Sequence, residues 1–318
     1  MSNSLTPPFP PDQAAQAVLY GKFVKSVTAM YLADPTNLTP TPLPPTNPQA
    51  IPDGWQLSAW INMSDFDVEN HQVKTYPEFY GIVVQQIADP TKRVVAFRGT
   101  QGNIEWLDDA TSIVQVPFLL LHDGGMVAFG FDAIYSSLQI VPVPPTTQGP
   151  AAAATPKLTG TFAEQLDQLA THEEAHLGIT QKSAASDGRP TVATGHSLGS
   201  ALATLFALEG SVKKLFNIQL ISTLASPKVG NAKFVQTFNA QPFSSWRIVN
   251  LPDKVPQLPP SLLGIDFEAV DTEYSFDSSS FAKQNEGCYH SIDTYLHGLD
   301  NSLHVAFDCL PITISVTG

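Results

Sequence analysis

The chain of 318 residues is 43% hydrophobic and 9% aromatic, and its 29 acidic against 16 basic side chains give a formal net charge of −13 at pH 7. These proportions are typical of a globular protein, and no apolar run reaches the length of about 20 residues that crosses a membrane, so we exclude a disordered chain and a stable transmembrane span. The acidic excess argues against binding to nucleic acid and against electrostatic docking on anionic membranes, which leaves hydrophobic contact as the route to any lipid.

The N-terminal part of the chain starts without the basic and apolar segments of a secretory signal. The sequence therefore does not decide the compartment. The protein either stays in the cytoplasm or is secreted, by another route or with the signal absent. Asp12 to Leu32 carries apolar residues near one face and predicts an amphipathic helix. Residues 35–52 contain seven prolines and predict an extended surface connector. Because the sequence contains no internal repeat, we expect residues 1–318 to form one α/β domain.

Two strand candidates flank a turn in the next part of the chain. Residues 78–87 and 93–100 are rich in β-branched and aromatic side chains, and the turn Ala88–Lys92 lies between them. The second strand ends at Gly99 and Thr100, where glycine permits the backbone to turn sharply.

Residues 101–121 are unusually apolar for a surface connection. This segment includes Ile104, Trp106, Leu107, Val116 and Phe118. Alternatively, its distal part, Phe118 to Leu121, is permanently packed in the core. Farther along, residues 141–156 are rich in proline and alanine and predict a flexible insertion, whereas residues 161–176 predict a polar helix.

A serine between two glycines lies in the segment TVATGHSLGSALATLFAL, residues 191–208. A buried-strand pattern precedes Gly195, and alanine and leucine at helical spacing follow Gly199. In this context the G-x-S-x-G pentapeptide predicts a nucleophile elbow, a sharp turn that exposes the hydroxyl of Ser197 at the end of a strand. The alternative is a glycine-rich turn without chemistry, which the pentapeptide alone does not exclude.

A serine nucleophile needs a histidine to take its proton and a carboxylate to orient that histidine, and after a nucleophile elbow the acid precedes the histidine in the chain. Strand candidates at residues 218–224 and 246–250 alternate with helices, which predicts a mainly parallel sheet with functional loops at the carboxyl ends of its strands. Asp253 comes directly after the second of these strands in a loop braced by prolines and is the candidate acid. The alternative is a solvated aspartate in a turn.

The last segment contains three histidines at spacings of seven: His290, His297 and His304. Ser291 suits a helix N-cap, which places His290 in the loop before that helix. Catalytic imidazoles usually lie on loops, so His290 is the candidate base and His297 is its competitor. The two cysteines, Cys288 and Cys309, either form one disulfide or are both reduced.

Acyl transfer also needs two hydrogen-bond donors for the oxyanion of its tetrahedral intermediate. The backbone N–H of Leu198, directly after the nucleophile, is one candidate. The other is the N–H of Thr100, in the loop after an earlier strand, where the threonine hydroxyl can hold the loop in place.

Four segments in this order, VVAFRGT, VATGHSLGSALA, ASPKVGN and VNLPDKVPQLPP, resemble the signatures of the class 3 lipase family, the fungal-type lipases. The similarity covers roughly residues 78–260, with the segment around His290 as a weaker extension. The resemblance implies an α/β-hydrolase fold, with a mainly parallel central sheet flanked by helices, and a site without a metal or cofactor. It also implies the triad Ser197, Asp253 and His290, with Thr100 in the oxyanion loop.

In this family the segment after the oxyanion loop forms a lid, which implies that residues 101–121 cover the site and expose apolar side chains at a lipid–water interface. The implied reaction is carboxylic ester hydrolysis, with triacylglycerol as the expected substrate. Alternatives on the same triad are phospholipase A1 and feruloyl or other carboxylesterase activity, and a remote one is a catalytically silent lipid-binding protein. Ala128 replaces a histidine that family members often carry, and the insertion at 141–156 is unlike compact fungal lipases, so the substrate subclass stays open.

Overall fold

The computed structural model describes residues 5–33, 41, 51–69, 72–100, 114–144, 156–178, 189–261, 264–305 and 309, with the backbone alone at residues 65–69 and 72–76. Ten strands lie in these residues: β1 (Trp55–Glu69), β2 (Gln72–Gln86), β3 (Arg93–Phe97), β4 (Gln115–Pro117), β5 (Met126–Ala128), β6 (Gln139–Pro142), β7 (Pro190–His196), β8 (Asn217–Leu224), β9 (Ser244–Asn250) and β10 (Glu273–Phe276). The α-helices of the same residues are α1 (Pro11–Ala33), α2 (Phe129–Ser137), α3 (Phe162–His176), α4 (Leu198–Val212), α5 (Ala232–Asn239), α6 (Glu286–Tyr289) and α7 (Ile292–Leu299).

The central sheet has the strand order β10-β9-β8-β7-β3-β2-β1-β6 within the described residues. Strands β3, β7, β8, β9 and β10 run parallel to one another, whereas β2, β1 and β6 pair antiparallel. The mainly parallel sheet predicted from the sequence is therefore confirmed. Because the carboxyl ends of β3, β7, β8 and β9 meet at one edge, the loops that follow these strands are brought together there.

Helices cover both faces of this sheet. Alternate residues of β3 point to opposite faces, so that Val95 and Phe97 join one buried cluster while Val94 and Ala96 join another. The first cluster includes the buried apolar side chains of α4, and the second includes most of those of α1. This two-sided burial explains why β3 reads as a continuous apolar run rather than an alternating one.

Most predicted elements are present close to their expected bounds. The helix predicted at residues 161–176 is α3, and Thr161 caps it: its hydroxyl accepts from the Glu164 backbone N–H, while the Glu164 carboxylate accepts from the Thr161 N–H at 3.0 Å. The strand β1 was not predicted.

The predicted insertion at residues 141–156 begins too early. Val141 pairs with Trp60 and Pro142 with Ala59, so these two residues extend the sheet at its edge, where the missing N–H of proline is tolerated. Residues 145–155 of the insertion lie outside the described residues. In the described part of the chain, no helix combines the length and the apolar character that a bilayer crossing requires.

Candidate active site

Ser197 stands between β7 and α4 in a backbone conformation that only a few per cent of non-glycine residues adopt, with φ 56° and ψ −128°. Its backbone N–H donates to the carbonyl of Leu224 in β8 at 3.0 Å. A Cβ atom on Gly195 would lie 2.2 Å from the carbonyl oxygen of Gly199, and one on Gly199 would lie 2.5 Å from that of Phe97. The strand, sharp turn and helix predicted around Ser197 are therefore present, and both glycines are required for their close approach.

Asp253 and His290 meet at the carboxyl edge of the sheet. Nδ1 of His290 lies 2.8 Å from Oδ2 of Asp253, although 37 residues separate them in the chain. Because an ionised carboxylate only accepts hydrogen bonds, Nδ1 carries the proton, and in the neutral imidazole Nε2 holds the free lone pair. Both side chains are buried, with Asp253 1% and His290 6% exposed.

The Asp253 carboxylate is held by three donors. Besides His290, the hydroxyl of Tyr295 donates to Oδ2 at 2.7 Å, and the backbone N–H of Val255 donates to Oδ1 at 2.9 Å. These bonds offset the cost of burying a charge. Burial, followed by the negative charge of Asp253, raises the pKa of Tyr295 well above its ordinary value, so the phenol keeps its proton and acts as a donor. Tyr295 was not among the site residues predicted from the sequence.

The competing histidine lies elsewhere. Nδ1 of His297 lies 2.7 Å from the carbonyl oxygen of Leu303, and its ring contacts Phe281 with centroids 4.6 Å apart. The carboxylate that the sequence singled out thus has His290, and not His297, as its imidazole partner. The third histidine, His304, is exposed.

The segment that carries His290 is fixed from three directions. Asn285 caps the short helix α6, and His290 ends it with its backbone N–H bonded to the carbonyl of Glu286 at 2.9 Å. A disulfide joins Cys288 to Cys309, so the alternative of two reduced cysteines does not describe this structure. The side-chain amide of Asn250, at the end of β9, donates to the carbonyl of Tyr289 at 2.8 Å.

A second imidazole, His196, links the elbow to this segment. Its Nε2 lies 2.7 Å from the backbone carbonyl oxygen of His290, so Nε2 carries the proton, and the two rings have centroids 4.6 Å apart. Burial, then the neighbouring His290, lower the pKa of His196 from 6.5 to about 3, which keeps this ring neutral at neutral pH. Among the described residues the Ser197 hydroxyl has no hydrogen-bond partner, His290 included, as in many free enzymes whose nucleophile and base make contact only when substrate binds.

The two predicted oxyanion donors follow neighbouring strands, since β3 and β7 pair in parallel. Leu198 is the first residue of α4, where a backbone N–H has no acceptor inside the helix and the helix dipole favours negative charge. Thr100 follows β3 and is half-buried, and its hydroxyl oxygen lies 3.5 Å from that of Tyr80.

Arg98 holds the backbone before Thr100 in place. Its guanidinium donates to the carbonyl of Gly99 at 2.9 Å and pairs with Glu78, while its Cζ lies 3.6 Å from the ring centroid of Tyr31 and 4.4 Å from that of Tyr80. Because Arg98 is only 1% exposed, water screens these contacts little, and they hold the loop firmly in place. Arg98 lies within the VVAFRGT motif, but no role for it was predicted from the sequence.

The predicted lid residues fall into two groups. Ile104, Trp106 and Leu107 lie outside the described residues. Val116 is half-buried in β4, whereas Phe118 is 1% exposed, with its ring 6.3 Å from that of Tyr135 and 6.1 Å from that of Phe234.

The lid assignment of Phe118 is therefore corrected to the core, because burying a phenylalanine among aromatic rings stabilises the fold by about 1.5–3 kcal/mol. Leu119, by contrast, is 83% exposed.

A cavity of about 500 Å³ lies beside this segment and is lined by Phe118, Leu119 and Lys233, among others. None of the triad candidates lines this cavity, so it is not assigned to the substrate.

The sequence model of the class 3 lipase family matches residues 94–263. Two proteins of Oryza sativa subsp. indica are similar in sequence. One, named phospholipase A1-II 3, is 29% identical over 65% of this chain and 48% of its own length. The other, named phospholipase A1-II 1, is 26% identical over 79% of this chain and 60% of its own length. The chain thus spans about half to three fifths of the length of these relatives.

Solved structures of lipases share the fold. A fungal lipase–inhibitor complex superposes with a TM-score of 0.55 at 18% identity and covers 84% of this chain and 81% of its own. The Rhizomucor miehei lipase propeptide complex superposes with a TM-score of 0.52 at 16% identity, over 89% of this chain and 77% of its own. The expected α/β-hydrolase fold is confirmed. Since the family match extends over more than half of the residues, the chain belongs to the class 3 lipase family.

Proposed function

We propose that this chain hydrolyses carboxylic esters of lipids, with Ser197 as nucleophile, His290 as general base and acid, and Asp253 as the group that orients His290. The observation that carries the proposal is the bond between Nδ1 of His290 and Asp253, in a segment whose backbone is bonded to His196, the residue before a serine in a strained elbow. This bond leaves Nε2 free to take the proton of a hydroxyl, which is the requirement for making serine nucleophilic at neutral pH.

The proposed reaction has two steps that use the same groups. Nε2 of His290 takes the Ser197 proton while Oγ bonds to the ester carbonyl carbon, and the carbonyl oxygen becomes an oxyanion near the N–H groups of Leu198 and Thr100. Collapse of this intermediate breaks the bond to the alcohol oxygen, which receives the proton from Nε2. Water then gives a proton to Nε2 as its oxygen bonds to the acyl carbon, and collapse of this second intermediate breaks the bond to Ser197 Oγ, which takes the proton from Nε2 as the fatty acid leaves.

We propose triacylglycerol, presented at a lipid–water interface, as the substrate. The apolar residues of 101–121, predicted to form a lid, favour a long acyl chain over small polar esters. The second candidate is phospholipase A1 activity, which is supported by the names of the two rice relatives.

Replacing the candidate nucleophile tests the reaction. Ser197→Ala should lower the turnover of a chromogenic long-chain ester by at least about a thousandfold, as in other serine hydrolases. The circular dichroism spectrum and binding to lipid emulsions should be unchanged. Equal turnover in the wild type and in this variant would overturn the proposal. A wild type that binds emulsions but hydrolyses no ester would instead identify a silent lipid-binding protein.

The choice of base is tested by a matched pair of histidine variants. His290→Ala should abolish turnover, whereas His297→Ala should retain it, because His297 is bonded to Leu303 and not to Asp253. The reverse pattern would show that His290 is the wrong residue.

A substrate panel separates the two lipid classes. Triacylglycerols and diacyl phosphatidylcholines of equal chain length are compared below and above their solubility limits. Faster hydrolysis of triacylglycerol, with a rise in rate above the limit, supports the first candidate. Preferential release of the sn-1 fatty acid from phosphatidylcholine would replace it with phospholipase A1 activity.

A further inference from the structure

Two histidines lie side by side at the C-terminal end of α3, in the segment His-Glu-Glu-Ala-His of residues 172–176. Positions four apart on a helix face the same side, and the rings of His172 and His176 have centroids 4.4 Å apart. His176 is exposed and His172 is half-buried. Two imidazoles in this arrangement can ligate the same metal ion.

The spacing is that of the H-E-x-x-H pattern, in which the glutamate of a metallopeptidase acts as base beside the metal. Here the carboxylate of Glu173 is already bound to side chains of the central sheet. It accepts from the Ser58 hydroxyl and from the Gln85 amide, each at 2.5 Å, and it pairs with Arg93 at 3.2 Å. Peptidase chemistry is therefore not supported, and the pair of imidazoles is the part of the pattern that can bind metal.

The hydrogen bonding of His176 prepares it as a ligand. Its Nδ1 lies 2.9 Å from the backbone carbonyl oxygen of His172. Because a carbonyl only accepts, Nδ1 carries the proton and Nε2 presents its lone pair. In metal sites the second ring nitrogen of a ligating histidine is commonly bonded to a carbonyl in this way, which fixes both the tautomer and the orientation of the ring.

We propose that His172 and His176 form a surface binding site for a late first-row divalent cation, with Ni²⁺, Cu²⁺ and Zn²⁺ preferred over Mg²⁺ and Ca²⁺. Imidazole suits the first three ions, whereas the last two require oxygen ligands. No set of three or more His, Cys, Asp and Glu side chains is placed for a metal in the described residues, so water completes the coordination. Because the two histidines supply half the ligands of a structural zinc site, we expect the Kd for the cation to be about 1–100 μM.

The bound cation would link His172 to His176 across the last turn of α3. This turn also carries Glu174, which pairs with Arg93 at 3.4 Å and with Arg189 at 2.9 Å. Arg93 opens β3 and Arg189 precedes β7, the strand that ends at the elbow. Because the ion binds the folded helix and not the separated histidines of the unfolded chain, it should raise the unfolding temperature.

The test uses the untagged full chain, stripped with chelator, and titration calorimetry with Ni²⁺ alone. The wild type should bind one ion, and His176→Ala should weaken binding by more than about tenfold, the smallest loss typical even of residues around metal ligands.

A variant that keeps the number of histidines is the matched control. His176→Ala combined with Leu177→His separates the two rings by about 140° around the helix. Leu177 is 56% exposed, so this change is compatible with folding, which circular dichroism checks. This variant should bind as weakly as His176→Ala. Wild-type affinity in either variant, or no Ni²⁺ binding by the wild type at about 1 mM, would overturn the proposal.

Discussion

At the scale of single residues, the least expected feature is a neutral histidine next to the candidate nucleophile. His196 donates through Nε2 to the His290 carbonyl at 2.7 Å, so it fixes the backbone of the segment that carries the candidate base. Its pKa of about 3 follows from burial and from the neighbouring imidazole of His290. A charged ring at position 196 would repel His290⁺ during the reaction, so a ring that stays neutral fits the proposed chemistry.

The depressed pKa of His196 predicts a stability that depends on pH. Below pH 6.5 the unfolded chain binds a proton at this ring, whereas the folded chain does so only near pH 3. The stabilisation is therefore fully present above pH 6.5 and is lost as the pH falls. Between pH 7 and pH 5 the wild type should lose about 1–2 kcal/mol more of its unfolding free energy than His196→Gln, measured by urea denaturation.

Glutamine is the informative replacement because its amide keeps a donor near the position of Nε2 but does not titrate. Equal losses of stability in the two proteins over this pH range would mean that the folded structure does not hold His196 neutral.

The triad candidates could be named from the sequence because each lies next to a locally recognisable element. Ser197 follows a strand pattern, Asp253 follows another, and His290 precedes an N-cap serine. The roles of His196 and Tyr295 were not predictable, since they depend on contacts across 94 and 42 residues that only the packed sheet brings together.

At the scale of elements, the elbow depends on how closely α4 approaches β3. A methyl group at Gly199 would lie 2.4 Å from the carbonyl oxygen of Arg98 and 2.5 Å from that of Phe97. Both acceptors are backbone atoms at the end of a central strand, so they cannot move aside as a flexible side chain would. The same helix contains Gly210, where a methyl group would meet its nearest neighbour, a ring carbon of Phe216, at an ordinary 3.4 Å.

These two glycines predict opposite effects of the same substitution. Gly199→Ala should lower the unfolding free energy by about 1–3 kcal/mol, or prevent folding, because the core is overpacked. Gly210→Ala should raise it by about 0.5–1 kcal/mol, because alanine loses less backbone entropy in a helix. Urea denaturation of both variants checks this pair. A stable and active Gly199→Ala would show that the helix and strand are not in contact as described.

The elements that the sequence did not reveal are those paired through distant contacts. Polar Ser58 and Asn62 in β1 obscure a strand pattern, and their burial depends on pairing with β2 and β6. Val141 and Pro142 look like part of a proline-rich insertion until the edge of the sheet is known. Strands β8 and β9 of the parallel half are mostly buried and rich in β-branched, aromatic and leucine side chains, and they were found near their true bounds.

At the scale of the whole molecule, the net charge of −13 bears on the proposed contact with a lipid surface. The charges repel an anionic surface over roughly a Debye length, which is about 30 Å at 0.01 M salt and about 8 Å at 0.15 M. Hydrophobic contact with the lipid acts only at short range and does not depend on this screening in the same way. Electrostatics should therefore oppose the approach to anionic lipid, and salt should relieve that opposition.

This argument predicts a rate that depends on both salt and lipid charge. On emulsions containing anionic lipid, the initial rate of ester hydrolysis should increase several-fold between about 0.01 M and 0.15 M NaCl, as repulsion is screened. On zwitterionic emulsions of the same size, the rate should change little, which controls for effects of salt on the reaction itself. A rate on anionic emulsions that falls with added salt would mean that a local basic surface, and not the net charge, governs the approach.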